Sequence, residues 1–213
     1  MDARLATIQS MPCEYDVLKM LYGEYASPKD KIARLAAEGQ LVRLKKGLYA
    51  VGPGQAARSV LLGLIANRLY GPSYVSLETA LYLYQMIPER VFEIRSLTTK
   101  RSRLFENGLG RFRYYQVAAQ YLCVGADIYQ DVGGNYLMAR PEKALCDMIA
   151  VARNLRIQSA GAMRVFMEED LRIDLEQTPT MEAAIFDAVI ATGTKRREMR
   201  LLKEYCNNAC DLI

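Results

Sequence analysis

The sequence contains no histidine among its 213 residues. Histidine is required in Ser-His-Asp and Cys-His catalysis and in the H-E-x-x-H metalloproteases, so these classes are excluded. A phosphate-binding loop of the form G-x-x-x-x-G-K-[ST] and a G-x-G-x-x-G after a predicted strand are missing too. An enzyme with this sequence would have to use carboxylates, lysine or a metal held by carboxylates.

Long apolar runs and an export signal are also missing. The longest apolar stretch, SVLLGLIA from Ser59, is too short to span a bilayer and is interrupted by Gly63. The first ten residues have neither the basic start nor the apolar centre of a signal peptide. We therefore expect a globular protein of the cytoplasm with no membrane contact.

Cysteines are few, and their spacing does not indicate a metal site. None of them forms a C-x-x-C pair, and without histidine a structural zinc site is a poor expectation. An odd number in a chain of this length also argues against a disulfide framework. The five are Cys13, Cys123, Cys146, Cys206 and Cys210. We predict neither a metal nor another cofactor.

Positive charge, by contrast, is present and unevenly distributed. The net charge is only +4, but residues 29–46 contain six basic and two acidic residues, and residues 90–113 contain seven basic and two acidic residues. A third basic run, TKRREMRLLK, lies near the end of the chain, and much of the acid is in EEDLRIDLEQ from Glu168. Such segregation indicates a polyanionic partner, although a basic run is more often a solvated helix face.

The first fifty residues predict three short helices and a hairpin. The third helix is the clearest, with Ser27 as N-cap, Pro28 at its first position and Gly39 after its end. The hairpin follows in GQLVRLKKGLYAV, where Gly47 supplies the positive φ of a tight turn. This order of elements is that of a winged helix-turn-helix.

The segment VGPGQ at residues 51–55 predicts a domain boundary. We divide the chain into a winged helix-turn-helix at residues 1–54 and a larger domain at residues 55–213. The larger domain begins with two apolar helices, continues with alternating strand patterns between residues 90 and 140, and returns to helices from Pro141. The predicted fold class is α+β, with a central, mostly antiparallel sheet in the larger domain.

A winged helix presents its third helix to the major groove and its hairpin turn to backbone phosphates. The candidate contacts in the third helix are Ser27, Lys29, Lys31 and Arg34, and those in the hairpin are Arg43, Lys45 and Lys46. The same bases could instead form a solvated face of a protein-docking module. Both interpretations remain open at this point.

Carboxylates provide the material for a second alternative, a metal-dependent nuclease with a winged-helix specificity module. Glu93 in FEIR and Asp127 are its candidate residues, but arginine replaces the lysine that such nucleases use, and arginine does not lose its proton at usable pH. Glu142 and Lys143 fit better as charges in the first turn of a helix. We therefore expect no enzymatic activity.

Three stretches together resemble a known family, the AbiEi-type antitoxins of type IV toxin–antitoxin systems. They are LAAEGQLVRLKKGLY, YGPSYVSLETALYLYQMIPE with the following SLTTKR, and YLMARPEKALCD, and the likeness runs from about residue 29 to residue 147. The resemblance implies a transcriptional repressor whose winged helix binds inverted repeats of double-stranded DNA in its own promoter, as two copies on the operator.

The resemblance also implies a functional partner and a wider DNA surface. The partner would be a nucleotidyltransferase-like toxin, which the larger domain counters without a stable complex. Carried onto this sequence, Lys29, Lys31 and Arg34 would read DNA and the hairpin bases would contact phosphate. The segment TTKRSR would extend that surface with Lys100, Arg101 and Arg103.

Overall fold

Two β-sheets organise the chain, and the fold class is α+β as predicted. The computed structural model of the protein describes residues 2–8, 11–53, 61–174 and 180–209. The predicted boundary at residues 51–55 and the start of the helix that follows it lie partly outside these ranges. Among the described residues, no helix is long and apolar enough to cross a membrane.

The smaller sheet belongs to a unit of three helices and three strands, which we call the small unit. Its elements are α1 (Leu5–Ile8), β1 (Cys13–Glu14), α2 (Tyr15–Leu21), α3 (Pro28–Ala37), β2 (Leu41–Lys45) and β3 (Leu48–Val51). The strand order is β1-β3-β2, with antiparallel pairing throughout. The three helices and the hairpin agree with the sequence prediction, whereas the two-residue strand β1 was not predicted.

Local signals account for α3 and for the hairpin. The Ser27 hydroxyl accepts a hydrogen bond from the Asp30 backbone N–H at 3.4 Å, and Pro28 occupies the first helical turn. Gly39 and Gly47 have φ values of +69° and +81°, in the left-handed region that favours glycine. These residues end the helix and close the hairpin turn, as predicted.

The small sheet is buried on both sides. Leu41 and Val51 belong to a core formed with residues of α1, α2 and α3, among them Leu18. Leu44 and Leu48, in contrast, belong to the core of the larger part of the molecule. The hairpin is therefore held between two cores.

The larger sheet has six strands in the order β6-β7-β5-β4-β9-β8. The strands are β4 (Ser73–Val75), β5 (Glu93–Thr98), β6 (Arg103–Asn107), β7 (Gly110–Gln116), β8 (Ala126–Asp131) and β9 (Gly134–Ala139). Three of its five pairings are antiparallel, but β4 pairs with β9 and β5 pairs with β7 in parallel. The sheet is thus mixed, and the unpredicted strand β4 lies in its centre, between β5 and β9.

Helices pack on this sheet and beyond it. They are α4 (Leu62–Leu69), α5 (Leu77–Leu83), α6 (Ala119–Leu122), α7 (Pro141–Val151), α8 (Ala160–Val165), α9 (Ala183–Ala191) and α10 (Arg196–Ala209), with a π-helical turn at Phe166–Asp170. In α10, Met199 and Leu202 are buried. Helix α6 interrupts a stretch that was expected to be strand.

Close contact between α4 and β9 leads to a testable prediction. A Cβ added to Gly63 would lie 2.3 Å from Cε2 of the buried Tyr136 ring, so Gly63→Ala is expected to overpack this contact. Overpacking costs about 1–3 kcal/mol, more than the gain of up to about 1 kcal/mol in helix propensity. Urea unfolding should show a lower midpoint.

Gly161→Ala in α8 is the matched control. The nearest atom to its added Cβ is Ser159 Oγ at 4.0 Å, so this variant should be as stable as the original protein or slightly more so. Equal midpoints for the two variants would contradict tight packing at Gly63.

Candidate nucleic-acid interface

The exposed side of α3 carries three of the predicted DNA-binding residues. Ile32 and Leu35 face the core, which leaves Ser27, Lys29 and Arg34 on the outer side. Arg34 is 3.8 Å from Glu38, and its side chain remains 63% exposed. The arrangement leaves Lys29 and Arg34 accessible to a large polyanion.

Lys31 is placed differently from the prediction. Its Nζ forms an ion pair with Asp2 at 2.8 Å, and its side chain is only 10% exposed. It also lies 5.6 Å and 5.2 Å from the ring centres of Tyr22 and Tyr25. The hydrogen bond from Lys31 holds the pKa of Asp2 below its ordinary value. Lys31 therefore ties the start of the chain to α3 and is not presented with Lys29 and Arg34.

The hairpin presents Arg43 and Lys46, whereas Lys45 is used within the protein. Lys45 Nζ donates a hydrogen bond to the carbonyl oxygen of Leu69 at 2.6 Å, at the C-terminal end of α4. Burial lowers the pKa of Lys45, and the charges of Lys100 and Arg103 lower it further. Lys45 thus caps a helix and lies near the basic segment of the larger part.

That basic segment, residues 99–103, is held by its neighbours. The Tyr70 hydroxyl donates to the Arg101 carbonyl oxygen at 3.2 Å, and Gln116 Nε2 donates to the Thr99 carbonyl oxygen at 3.3 Å. Lys100 Nζ is 5.2 Å from the centre of the Tyr70 ring. The loop therefore presents its bases from a fixed backbone.

Arg103 and Arg101 are the other two predicted bases of this segment. The Arg103 guanidinium lies 4.6 Å from the centre of the Phe105 ring, and both arginines are exposed.

Hairpin and basic segment meet at a cleft of about 490 Å³, which we call the junction cleft. Its charged lining residues are Lys45, Lys46, Arg68, Lys100 and Glu14. Lys45 and Lys46 are thus brought together with Lys100, which is more than fifty positions away along the chain, whereas the other predicted bases do not line the cleft. Sequence reasoning missed Arg68, because a single base in an apolar helix looks like its solvated face.

The end of α4 joins four parts of the molecule through consecutive residues. Asn67 donates a hydrogen bond to the Leu137 carbonyl oxygen at 3.2 Å and accepts one from the Leu137 N–H at 2.6 Å. Its carboxamide thus forms with β9 the two hydrogen bonds that a residue of a paired strand would form. Arg68 lines the junction cleft, the Leu69 carbonyl accepts from the hairpin, and Tyr70 holds the basic segment.

A network of polar side chains is buried in the centre of the larger part. Asp147 on α7 accepts hydrogen bonds from Lys143 at 2.6 Å, Ser76 at 2.6 Å, Tyr121 at 2.8 Å and Tyr74 at 3.0 Å. The side chains of Lys143 and Asp147 are 0% exposed. Burial lowers the pKa of the Lys143 ammonium, although Asp147 opposes the effect. Lys143 thus lies in the first turn of α7, as predicted, but its charge is buried there and paired with Asp147.

Glu142 lies in the first turn of α7 as well, as predicted, and it is also buried. Its Oε1 accepts a hydrogen bond from the Glu182 backbone N–H at 2.6 Å, and its side chain is 0% exposed. The reason is that α7 is covered on all sides from Pro141 to Ile149.

The network joins two of the three stretches that carry the family resemblance. Tyr74 and Ser76 come from YGPSYVSLETALYLYQMIPE, and Lys143 and Asp147 come from YLMARPEKALCD. All four side chains are at most 2% exposed. These residues therefore join the sheet to α7 and are not accessible to a macromolecule.

The two carboxylates of the nuclease alternative do not converge. Glu93 pairs with Arg113 at 2.8 Å and Arg95 at 3.3 Å, and Arg111 is 3.7 Å away. Burial opposes the ionisation of Glu93, but these arginines hold its pKa below the ordinary value. Asp127 lies on β8, which is three strand positions from β5, the strand of Glu93. This corresponds to about 14 Å between the two strands. In the described part of the chain, no three Cys, Asp or Glu side chains lie where they could hold a metal ion.

Comparisons with known proteins add no further assignment. A scan against protein-family models and a search of curated proteins both find no match to this chain.

Proposed function

We propose that this protein is a DNA-binding transcriptional repressor of the antitoxin type, as its resemblance to the AbiEi-type antitoxins implies. The observation that carries the proposal is the junction cleft, where bases from the hairpin turn and from residues 99–103 lie side by side. Four bases and one acid line it, so the cleft attracts a polyanion.

The order of the small unit supports a winged helix in residues 1–54. Helices α1, α2 and α3 are followed by the β2–β3 hairpin, and α3 packs on α2 and β2. In that interpretation, α3 enters the major groove with Lys29 and Arg34, while Arg43 and Lys46 contact phosphate. The basic segment with Lys100, Arg101 and Arg103 extends the surface.

The resemblance supports the biological part of the proposal. The operator would consist of inverted repeats bound by two copies of the protein, because a two-fold arrangement matches such repeats. A nucleotidyltransferase-like toxin would be the functional partner, countered without a stable complex. The protein would act without a cofactor, in the cytoplasm, and not as an enzyme.

Charge reversal in the hairpin tests the proposal. In Arg43→Glu with Lys46→Glu, binding to a labelled duplex of the upstream promoter region should weaken by about a hundredfold or more in about 50 mM salt. The plot of the logarithm of the binding constant against the logarithm of the salt concentration should become less steep by about 2, because two phosphate contacts are lost. Fluorescence anisotropy measures both quantities. Lys45 is left unchanged because it caps α4.

Arg156→Glu with Arg164→Glu is the matched control, since both arginines are exposed and lie outside the junction cleft. The control changes the net charge equally and should keep most of the affinity. An equal loss in both variants would mean that net charge alone drives binding. A protein with no affinity for duplex DNA at any salt concentration would favour the protein-docking alternative.

A further inference from the structure

We propose that the junction cleft binds a phosphate of the DNA backbone and that Arg68, on α4, is its main ligand. The inference rests on the proposed function and extends it, because it adds a residue outside the winged helix to the DNA contacts. Arg68 lines the cleft together with residues of the hairpin turn and is exposed.

The charges of the cleft are available to different degrees. Lys45 already donates to the Leu69 carbonyl, and Lys100 lies over the Tyr70 ring. Within residues 2–8, 11–53, 61–174 and 180–209, Lys46 and Arg68 form neither an ion pair nor a side-chain hydrogen bond. Arg68 has a planar fork of N–H donors that suits two oxygens of one phosphate.

The walls of the cleft are already in place before a ligand arrives. The Tyr15 backbone N–H donates to the Gly47 carbonyl oxygen at 2.9 Å, which fixes the hairpin turn. On the other wall, the Lys100 backbone N–H donates to Thr98 Oγ1 at 3.2 Å. The backbone of such a site loses little conformational entropy when a ligand binds.

The chemistry of the cleft favours a phosphate over a base. Among the described residues, its one aromatic lining residue is Tyr70, which has Lys100 over its ring and also contacts the rings of Phe105 and Tyr114. The described residues therefore leave no open aromatic face in the cleft to stack on a base. Glu14, the one acid among the described lining residues, repels an anion, but the four bases of the lining outweigh it.

Arg68→Gln in the full-length protein tests the site, with Arg164→Gln on α8 as the matched control. Arg68→Gln is expected to weaken binding about five- to tenfold near 0.1 M salt and to lower the salt slope by about 1. The loss should be equal for the promoter duplex and for a scrambled duplex, because a backbone contact carries no sequence information. Arg68→Lys should keep the slope, because it keeps the charge.

The outcomes separate this inference from the proposed function. If the original protein binds duplex DNA but Arg68→Gln behaves like Arg164→Gln, the site is refuted while the repressor proposal stands. If the original protein binds no duplex DNA, the proposed function fails first and the site fails with it.

Competition with millimolar inorganic phosphate at constant ionic strength distinguishes two sources of the phosphate group. If phosphate abolishes the difference in DNA affinity between the original protein and Arg68→Gln, the cleft is a site for free phosphate and the inference is overturned. Equal melting temperatures of the two glutamine variants would show that the loss is not caused by unfolding.

Discussion

Asp147→Ala is expected to lower the free energy of unfolding by about 3–5 kcal/mol, the usual cost of removing one partner of a buried ion pair. The substitution would leave the Lys143 ammonium without a counter-charge, in a site with 0% exposure. Three hydroxyl donors, those of Tyr74, Ser76 and Tyr121, would lose their acceptor at the same time. Urea unfolding followed by circular dichroism measures the effect.

The pH dependence of the variant identifies the cause. Without Asp147, the pKa of Lys143 falls further, so that the unfolded chain binds more protons than the folded one in the pH range just below the ordinary lysine pKa of about 10. The stability of the variant should therefore rise with pH across this range. A constant deficit would point to lost packing instead of an unpaired ammonium.

Two further variants serve as controls for Asp147→Ala. Glu204→Ala removes an exposed carboxylate on α10 and should change the stability by less than about 0.5 kcal/mol. Asp147→Leu combined with Lys143→Met removes both charges, so it should be less destabilised than Asp147→Ala alone. If the double variant were less stable than Asp147→Ala, an unpaired Lys143 charge would not be the cause of the destabilisation.

A fragment of residues 1–54 is expected not to fold by itself. Its sheet would expose Leu44, Leu48 and Ala50, which are buried in the larger core of the complete chain. Exposing a buried leucine side chain costs about 1.5–3 kcal/mol, and a domain of this size has little stability to lose. We expect no cooperative thermal transition, and we expect aggregation in gel filtration.

The same fragment with Leu44→Thr and Leu48→Thr is the control for aggregation. Threonine keeps the preference for strand but removes the apolar surface, so the control should remain monomeric. A cooperative transition of the unmodified fragment would show that the predicted domain at residues 1–54 is independent of the larger core.

Helix α3, the hairpin and α7 could be predicted because their signals are local. The Ser27 cap, Pro28 and Pro141 mark helix starts in the sequence, and the glycine turn marks the hairpin. Such signals act within four or five residues, so they do not depend on how the chain packs.

Elements that depend on distant partners could not be predicted. Strand β1 has two residues and β4 has three, and both exist because remote strands pair with them. The burial of Glu142 and Lys143 has a similar origin. A charged residue at the start of a helix is normally solvated. Here the elements packed around α7 bury the start of the helix, and the local sequence does not show this.

The bases of the candidate interface were predicted by type, but their individual roles were not. Lys31 and Lys45 look the same as Lys29 and Lys46 in the sequence, yet each of them has a partner within the protein. Their partners, Asp2 and the Leu69 carbonyl, lie 29 and 24 positions away along the chain. Arg68 became a candidate only because the fold brings α4 to the hairpin.

The consecutive contacts of residues 67–70 have a thermodynamic consequence. Because one helical turn joins β9, the hairpin and the basic segment, none of these parts can shift without disturbing the others. Energetic linkage between sites is reciprocal. A duplex held at Arg68 would therefore also stabilise the contact of Asn67 with β9, and a substitution that weakens this contact would lower the affinity for the duplex.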